Sequence, residues 1–95
     1  MIKIPIIRRY NNDQAVALLP LLQELYIKVY QSKGFVSAES LVNQLDPLEH
    51  LIISTWSSME DWFAYNRSNE IVALRDSIDQ VTGQQTTRSI YKLEN

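Results

Sequence analysis

The sequence predicts an α+β fold, two helices laid on one face of a four-stranded antiparallel sheet, in the order β-α-β-β-α-β. Three observations predict it. Ile2, Ile4 and Ile6 alternate with Lys3 and Pro5, the period-two pattern of a strand with one buried face. Leu18, Leu22, Leu25 and Val29 recur at helical spacing, as do Ile71, Leu74, Ile78 and Val81 farther on. Between the two stripes, Gly34 to Ser68 reads as strand, tight turn, strand and helix, and the rest of the chain is organised around that stretch.

The first strand runs from Ile2 to Tyr10. Continuing its alternation puts Arg8 on the isoleucine face and Arg9 opposite. Pro5 cannot donate to a ladder, which predicts an edge strand or a bulge. Asn11, Asn12 and Asp13 are helix-capping types, and a helix follows to about Ser32, its stripe widened by Leu21 and Tyr26. Pro20 lies inside that pattern and predicts a kink between Val16 and Pro20, or a late start. Gly34 ends the helix by taking a positive φ.

The second strand is expected over Phe35 to Leu45, with Val36, Ala38, Ser40 and Val42 on one face and Phe35, Ser37, Glu39 and Leu41 on the other. Asp46-Pro47 makes a turn in which His50 is expected to be solvated. Leu51 to Trp56 is rich in β-branched residues and apolar on both faces, so it is expected to be central. Ser57 or Ser58 caps the next helix, with Glu60 and Asp61 in its first turn, where the helix dipole favours acid. Asn66 to Asn69 reads as a break, capped again by Ser68 or Asn69. Gly83 terminates the continuation. Thr86 to Leu93 is the last strand, with Thr86, Arg88 and Ile90 on one face. This order is the ferredoxin-like split arrangement. It leaves one sheet face bare, and that face is expected to pack on a second copy of the chain.

Composition narrows the function. Ninety-five residues with 45% apolar content are expected to form a single domain over 1–95. A net charge of -2 without a basic cluster argues against nucleic acid. The absence of cysteine excludes disulfides, thiolate chemistry and cysteine-based metal sites, and the single His50 excludes a multi-histidine site. No glycine-rich nucleotide loop occurs, so no cofactor and no metal are expected. No apolar run approaches the roughly 20 residues that span a bilayer, and MIKIPIIRRY lacks a signal-peptide cleavage pattern. The expectation is a cytoplasmic protein without a membrane partner.

A series of short motifs lies along the organising stretch: Gly34-Phe35, Ser37-x-Glu39-x-Leu41, Leu45-Asp46-Pro47, Ile53-Ser54-Thr55-Trp56, Ser58-x-Glu60-Asp61-Trp62 and Arg67-Ser68-x-Glu70. In order and at these spacings they resemble the antibiotic biosynthesis monooxygenase family, and with the flanking elements the likeness covers nearly the whole chain. The resemblance implies a dimeric α/β barrel in which two sheets pack face to face, each subunit holding a pocket between its own sheet and helices. It implies oxygenase chemistry without metal, flavin or nicotinamide, in which an electron-rich phenol or hydroquinone reduces oxygen itself once ionised. Haem-degrading relatives carry an asparagine late in strand one, a tryptophan in helix two and a histidine ten residues on. Those positions here are Arg8, Tyr65 and Arg75, so the resemblance does not extend to haem degradation.

Arg8 is the first catalytic candidate, because a guanidinium on an apolar strand face needs an anion or acceptors and would stabilise a phenolate or semiquinone. The alternative is a strand-end arginine reaching solvent or pairing with an acid. Tyr65 and Asn66 are the further catalytic candidates, for hydrogen bonding to a substrate oxygen, with Trp62 beside them as a flat substrate-binding wall; packing is the alternative for the aromatics. Arg75 and Tyr26 complete the substrate-binding set, although Tyr26, with Tyr30 one turn on, also reads as a snorkelling face. No strong base stands among these residues. The functions in competition are a cofactor-independent monooxygenase acting on a small aromatic, a non-catalytic dimeric module binding a small molecule or a partner protein, and a cyclase- or isomerase-like activity.

Overall fold

The structure is a computed structural model and describes residues 1–94. The elements follow in the order β1 (Ile2–Arg9), α1 (Asn12–Tyr30), β2 (Phe35–Val42), β3 (Glu49–Trp56), α2 (Met59–Asn66), α3 (Asn69–Thr82), β4 (Thr87–Arg88) and β5 (Tyr91–Lys92). The sheet is antiparallel in the order β2-β3-β1-β4, with β5 also paired to β1. This is the ferredoxin-like arrangement, and β3 is central as its apolar faces predict. The second helical region is divided into α2 and α3 where the Asn66 to Asn69 break falls.

β4 and β5 are two pieces of one strand. Arg88 lies opposite Ile6 and Lys92 opposite Ile2, in one continuous register. Pro5 is what divides them. The Ser89 N–H donates to the Pro5 oxygen at 3.3 Å, but the return bond needs an N–H that proline lacks. Pro5 therefore does not mark an edge strand. β1 is bonded on both sides, and the missing donor interrupts its neighbour, so the expected strand over Thr86 to Leu93 shrinks to two pairs of residues.

α1 begins at Asn12 with no late start. Asn11 and Gln14 form a reciprocal capping box, each side chain accepting the other's backbone N–H at 2.9 Å. The Gln14 Nε2 also donates to the Val81 and Thr82 carbonyls at 3.3 and 3.4 Å, tying the start of α1 to the end of α3. The helix runs on through Pro20, which is exposed. The carbonyl it leaves unbonded belongs to Val16, itself 79% exposed, so the lost bond falls at the solvent-facing side of the helix.

In β2 the register shifts between Phe35 and Ser37, making Val36 an extra, bulged residue. The bulge reverses the expected faces at the strand's start. Phe35, opposite Trp56, shares the helix-covered face with Ala38, Ser40 and Val42, which lie opposite Ser54, Ile52 and His50. β3 begins at Glu49, so His50 lies in a strand instead of a solvated turn, its ring stacked on Tyr10 at 3.8 Å.

Two clusters make the core. Leu18, Leu22 and Leu25 of α1 pack on Ile71, Leu74 and Ile78 of α3. Ile2, Ile4 and Trp56 of the sheet pack on Trp62 of α2. α2 is fixed over the sheet at one crowded point. The Ser57 N–H donates to the Gly34 oxygen at 2.7 Å, and a Cβ on Gly34 would fall 2.5 Å from the Asp61 Cβ. Ser58 caps α2 through the Asp61 N–H at 3.2 Å, and Ser68 caps α3 through the Ile71 N–H at 3.4 Å.

The molecule is only 18 Å deep along its shortest axis, one helix layer on one sheet. The uncovered face carries Pro5 and Ile7 of β1, Leu51 and Ile53 of β3 and Leu41 of β2, bordered by Lys3, Arg9, Glu39 and Glu49. Among the described residues no helix is long and apolar enough to cross a membrane.

The two glycines with positive φ, Gly34 at 85° and Gly83 at 73°, differ in what surrounds them. Gly34→Ala must strain the backbone and displace Asp61, and is expected to cost about 2–4 kcal/mol. Gly83→Ala meets nothing within 4 Å and is expected to cost about 1 kcal/mol, the backbone term alone. Urea denaturation of the two variants beside wild type measures both.

Candidate functional site

Between the sheet and the helices lie two adjoining cavities, of about 50 Å³ and about 30 Å³. Arg8, Trp62 and Tyr65 border both. Tyr26 closes the first, against Trp56 and Ser54 of β3. Asn66, Arg75 and Arg88 close the second. Arg8, Tyr26, Trp62, Tyr65, Asn66 and Arg75 are thus gathered around one interior space, although they come from β1, α1, α2 and α3. A wider depression of about 480 Å³ beside Gly83 is open to solvent and holds only polar and acidic side chains with no aromatic, so it offers no comparable chemistry.

Arg8 stands opposite His50 in the ladder, at the far end of the isoleucine face. It is 5% exposed, not a strand-end residue reaching water. Its Nε has no hydrogen-bond partner among the described residues. Burial pushes its pKa below the usual arginine value, with Tyr26, Tyr65, Tyr10 and Asp79 acting the other way. A guanidinium stays charged despite such a shift, so the cavity wall carries a buried positive charge with spare donor capacity.

Tyr65 lies on α2 one turn after Trp62. Its ring packs on Trp56 at 5.0 Å, and Trp56 is fixed by donating its Nε1–H to the Ser54 oxygen at 3.0 Å. Burial pushes the Tyr65 phenol up to about 12, although Arg8, Arg88 and Arg75 pull it down. At neutral pH it is a hydrogen-bond donor and not a base. Trp62 is 5% exposed and presents a flat wall. Asn66 ends α2, and its side-chain and backbone oxygens both accept from the Arg75 guanidinium. Arg75, half-buried, is thereby held at the border of the second cavity.

The sequence reading missed Arg88. Its place opposite Ile6 puts it on the helix-covered face, and burial, together with the Arg75 and Arg8 charges, lowers its pKa to about 10. The alternation of Thr86, Arg88 and Ile90 carried the signal, but only the strand order sets that face beside the isoleucines. Among the described residues no group of three or more histidine, aspartate or glutamate side chains could hold a metal ion.

Solved structures share this architecture. One, described as an antibiotic biosynthesis monooxygenase, superposes with a TM-score of 0.83 at 20% identity, covering all of both chains. A conserved protein from Methanosarcina mazei Go1 superposes at 0.86 with 12% identity, covering 98% of this chain and 92% of that one. SnoaB, a cofactor-independent oxygenase from Streptomyces nogalater, superposes at 0.78 with 6% identity, covering 99% of this chain and 92% of that one. At such identities the likeness establishes the fold. The sequence establishes more: the model of the antibiotic biosynthesis monooxygenase family matches residues 2–77, and the chain belongs to that family. A search of curated proteins finds no match.

Because the folded Tyr65 pKa is raised above its unfolded value near 10, its contribution to stability is complete below pH 10 and is lost as pH rises toward 12. Over that interval the stability of wild type relative to Tyr65→Phe is expected to fall by about 2 kcal/mol. Denaturation of both proteins across the interval measures it.

Proposed function

We propose that this chain is a cofactor-independent monooxygenase that oxidises a small phenol or hydroquinone with dioxygen, working as a single-domain homodimer. Arg8 is the observation that carries the proposal: a buried cation with an unpartnered donor, facing an aromatic-walled cavity. A phenol bound there ionises more readily, because the guanidinium stabilises the phenolate far more in a dry site than in water. Trp62 and Tyr65 hold the ring, and the Tyr65 hydroxyl and Asn66 bond its oxygens. The ionised substrate supplies the electrons. For an anthrone-like ring, one carbon loses two hydrogens and gains one oxygen atom, the second oxygen atom leaves as water, and all four electrons come from the substrate. The cavities are water-sized, so a ring is admitted only as their walls move apart.

One observation favours a second reading. Among the described residues no carboxylate or histidine borders either cavity, so none of their side chains there takes a proton at neutral pH. A non-catalytic module that binds the same class of ligand needs none.

Oxygen consumption by metal-stripped protein on a panel of hydroquinones and anthrone-like phenols separates the two. Turnover is expected with wild type. Arg8→Met is expected to lower it about 30- to 1000-fold, equivalent to about 2–4 kcal/mol of transition-state stabilisation. It is expected to leave the melting temperature equal or higher, because it removes a buried, incompletely paired charge. Ligand binding without oxygen uptake by wild type selects the module instead.

The bare sheet face supports the homodimer, since its apolar centre has no helix over it in a molecule 18 Å deep. Light scattering is expected to give twice the chain mass for wild type and the single-chain mass for Ile53→Lys. A wild-type monomer at micromolar concentration removes the dimer from the proposal.

A further inference from the structure

Three guanidinium groups, those of Arg8, Arg75 and Arg88, border the smaller cavity, and among the described residues no acidic side chain does. Asp79 is the acid that acts on Arg8 and Arg88, and its carboxylate is already engaged by Thr86, accepting from the backbone N–H at 3.2 Å and from the hydroxyl at 2.7 Å. Arg88 spends one weak bond, at 3.4 Å, on the Thr86 carbonyl. Arg75 spends its Nη1 on Asn66. The Arg8 Nε has no partner. Each arginine therefore keeps donors in hand, and the like charges of Arg8 and Arg75 push down the pKa of Arg88. Such a cluster repels itself until an anion enters.

A neutral phenol accounts for one of these charges. Its ionised oxygen needs a single cation, and Arg8, shared by both cavities, is the one that also faces the aromatic wall. Arg75 and Arg88 remain, on the side away from Tyr26, with planar forks suited to bidentate binding of a carboxylate.

We propose that the ligand is a small aromatic acid. The ring lies between Trp62 and Tyr65 with its phenolic oxygen at Arg8, and a carboxylate on the ring or on a short side chain is held by Arg75 and Arg88. This deepens the proposed oxygenase reading and rests on it only for the identity of the phenol. The charge preference is a property of binding, and it is measured without turnover.

Calorimetric titration with gentisate, gentisate methyl ester, unsubstituted hydroquinone and inorganic phosphate tests the preference. Gentisate is expected to bind at least about tenfold more tightly than its ester or hydroquinone, the difference one pair of charge-assisted hydrogen bonds makes, and phosphate more weakly than gentisate. Arg75→Met and Arg88→Gln, each checked for a wild-type circular dichroism spectrum, are expected to close the gap between acid and ester. Equal affinity for acid and ester in wild type overturns the proposal, and so does phosphate binding as tightly as gentisate, which marks an anion site with no use for the ring. A gap that survives both substitutions overturns the assignment to Arg75 and Arg88. If gentisate binds tightly and no oxygen is consumed, the oxygenase reading fails while the aromatic-acid assignment stands.

Discussion

The burial of Trp56 is the contact on which the rest of the structure depends. It is 1% exposed, stands opposite Ile2 on one side and Phe35 on the other, and packs on Tyr65 above. One indole thus joins the three long strands to α2. A side chain of this size contributes about 3–5 kcal/mol when its neighbours close around it. Its direction is set by the Ser54 hydroxyl, so the wall it gives the cavity is fixed. Gly34 completes the arrangement from below, since only a residue without a Cβ lets the start of α2 come down onto the sheet at Asp61.

Much of this was legible in the sequence because it follows from period and capping. The isoleucine alternation placed Arg8 on the helix side, and the stripes of α1 and α3 gave the layer above it. Asn11, Ser58, Ser68 and Gly83 cap as their types require. Three features were not legible, each because a neighbour decided it. Phe35 and Val36 are both apolar, so nothing in their order reveals that Val36 is the bulged residue. Pro5 obeys the rule that proline spoils a ladder, yet the ladder it spoils belongs to β4, and the central strand is kept. Arg88 sits on a short polar strand and becomes an interior residue only through its place beside Ile6.

The cavity shows how a small domain can hold charge inside. Arg8 has a desolvated guanidinium and, among the described residues, no ion pair with a carboxylate, an arrangement that costs stability and that packing alone does not demand. The surrounding tyrosines soften the environment without neutralising it. The fold meets this cost in the packing of α1 on α3 and in the Trp56 cluster, whose inner edges, at Leu25, Ile71, Trp56 and Trp62, also form the apolar wall of the cavity.

The seam at Pro5 has a kinetic meaning. The ladder between β1 and β3 is unbroken over the full length of both strands, whereas the fourth strand is held by two short pieces with a gap between them. Detaching the piece that carries Arg88 breaks few hydrogen bonds and exposes little of either core cluster, so it is a local opening, far cheaper than unfolding. The rate at which the interior exchanges molecules with solvent is thereby uncoupled from the lifetime of the folded state. The backbone donor missing at one central residue leaves the fourth strand more weakly held than the ladder between β1 and β3.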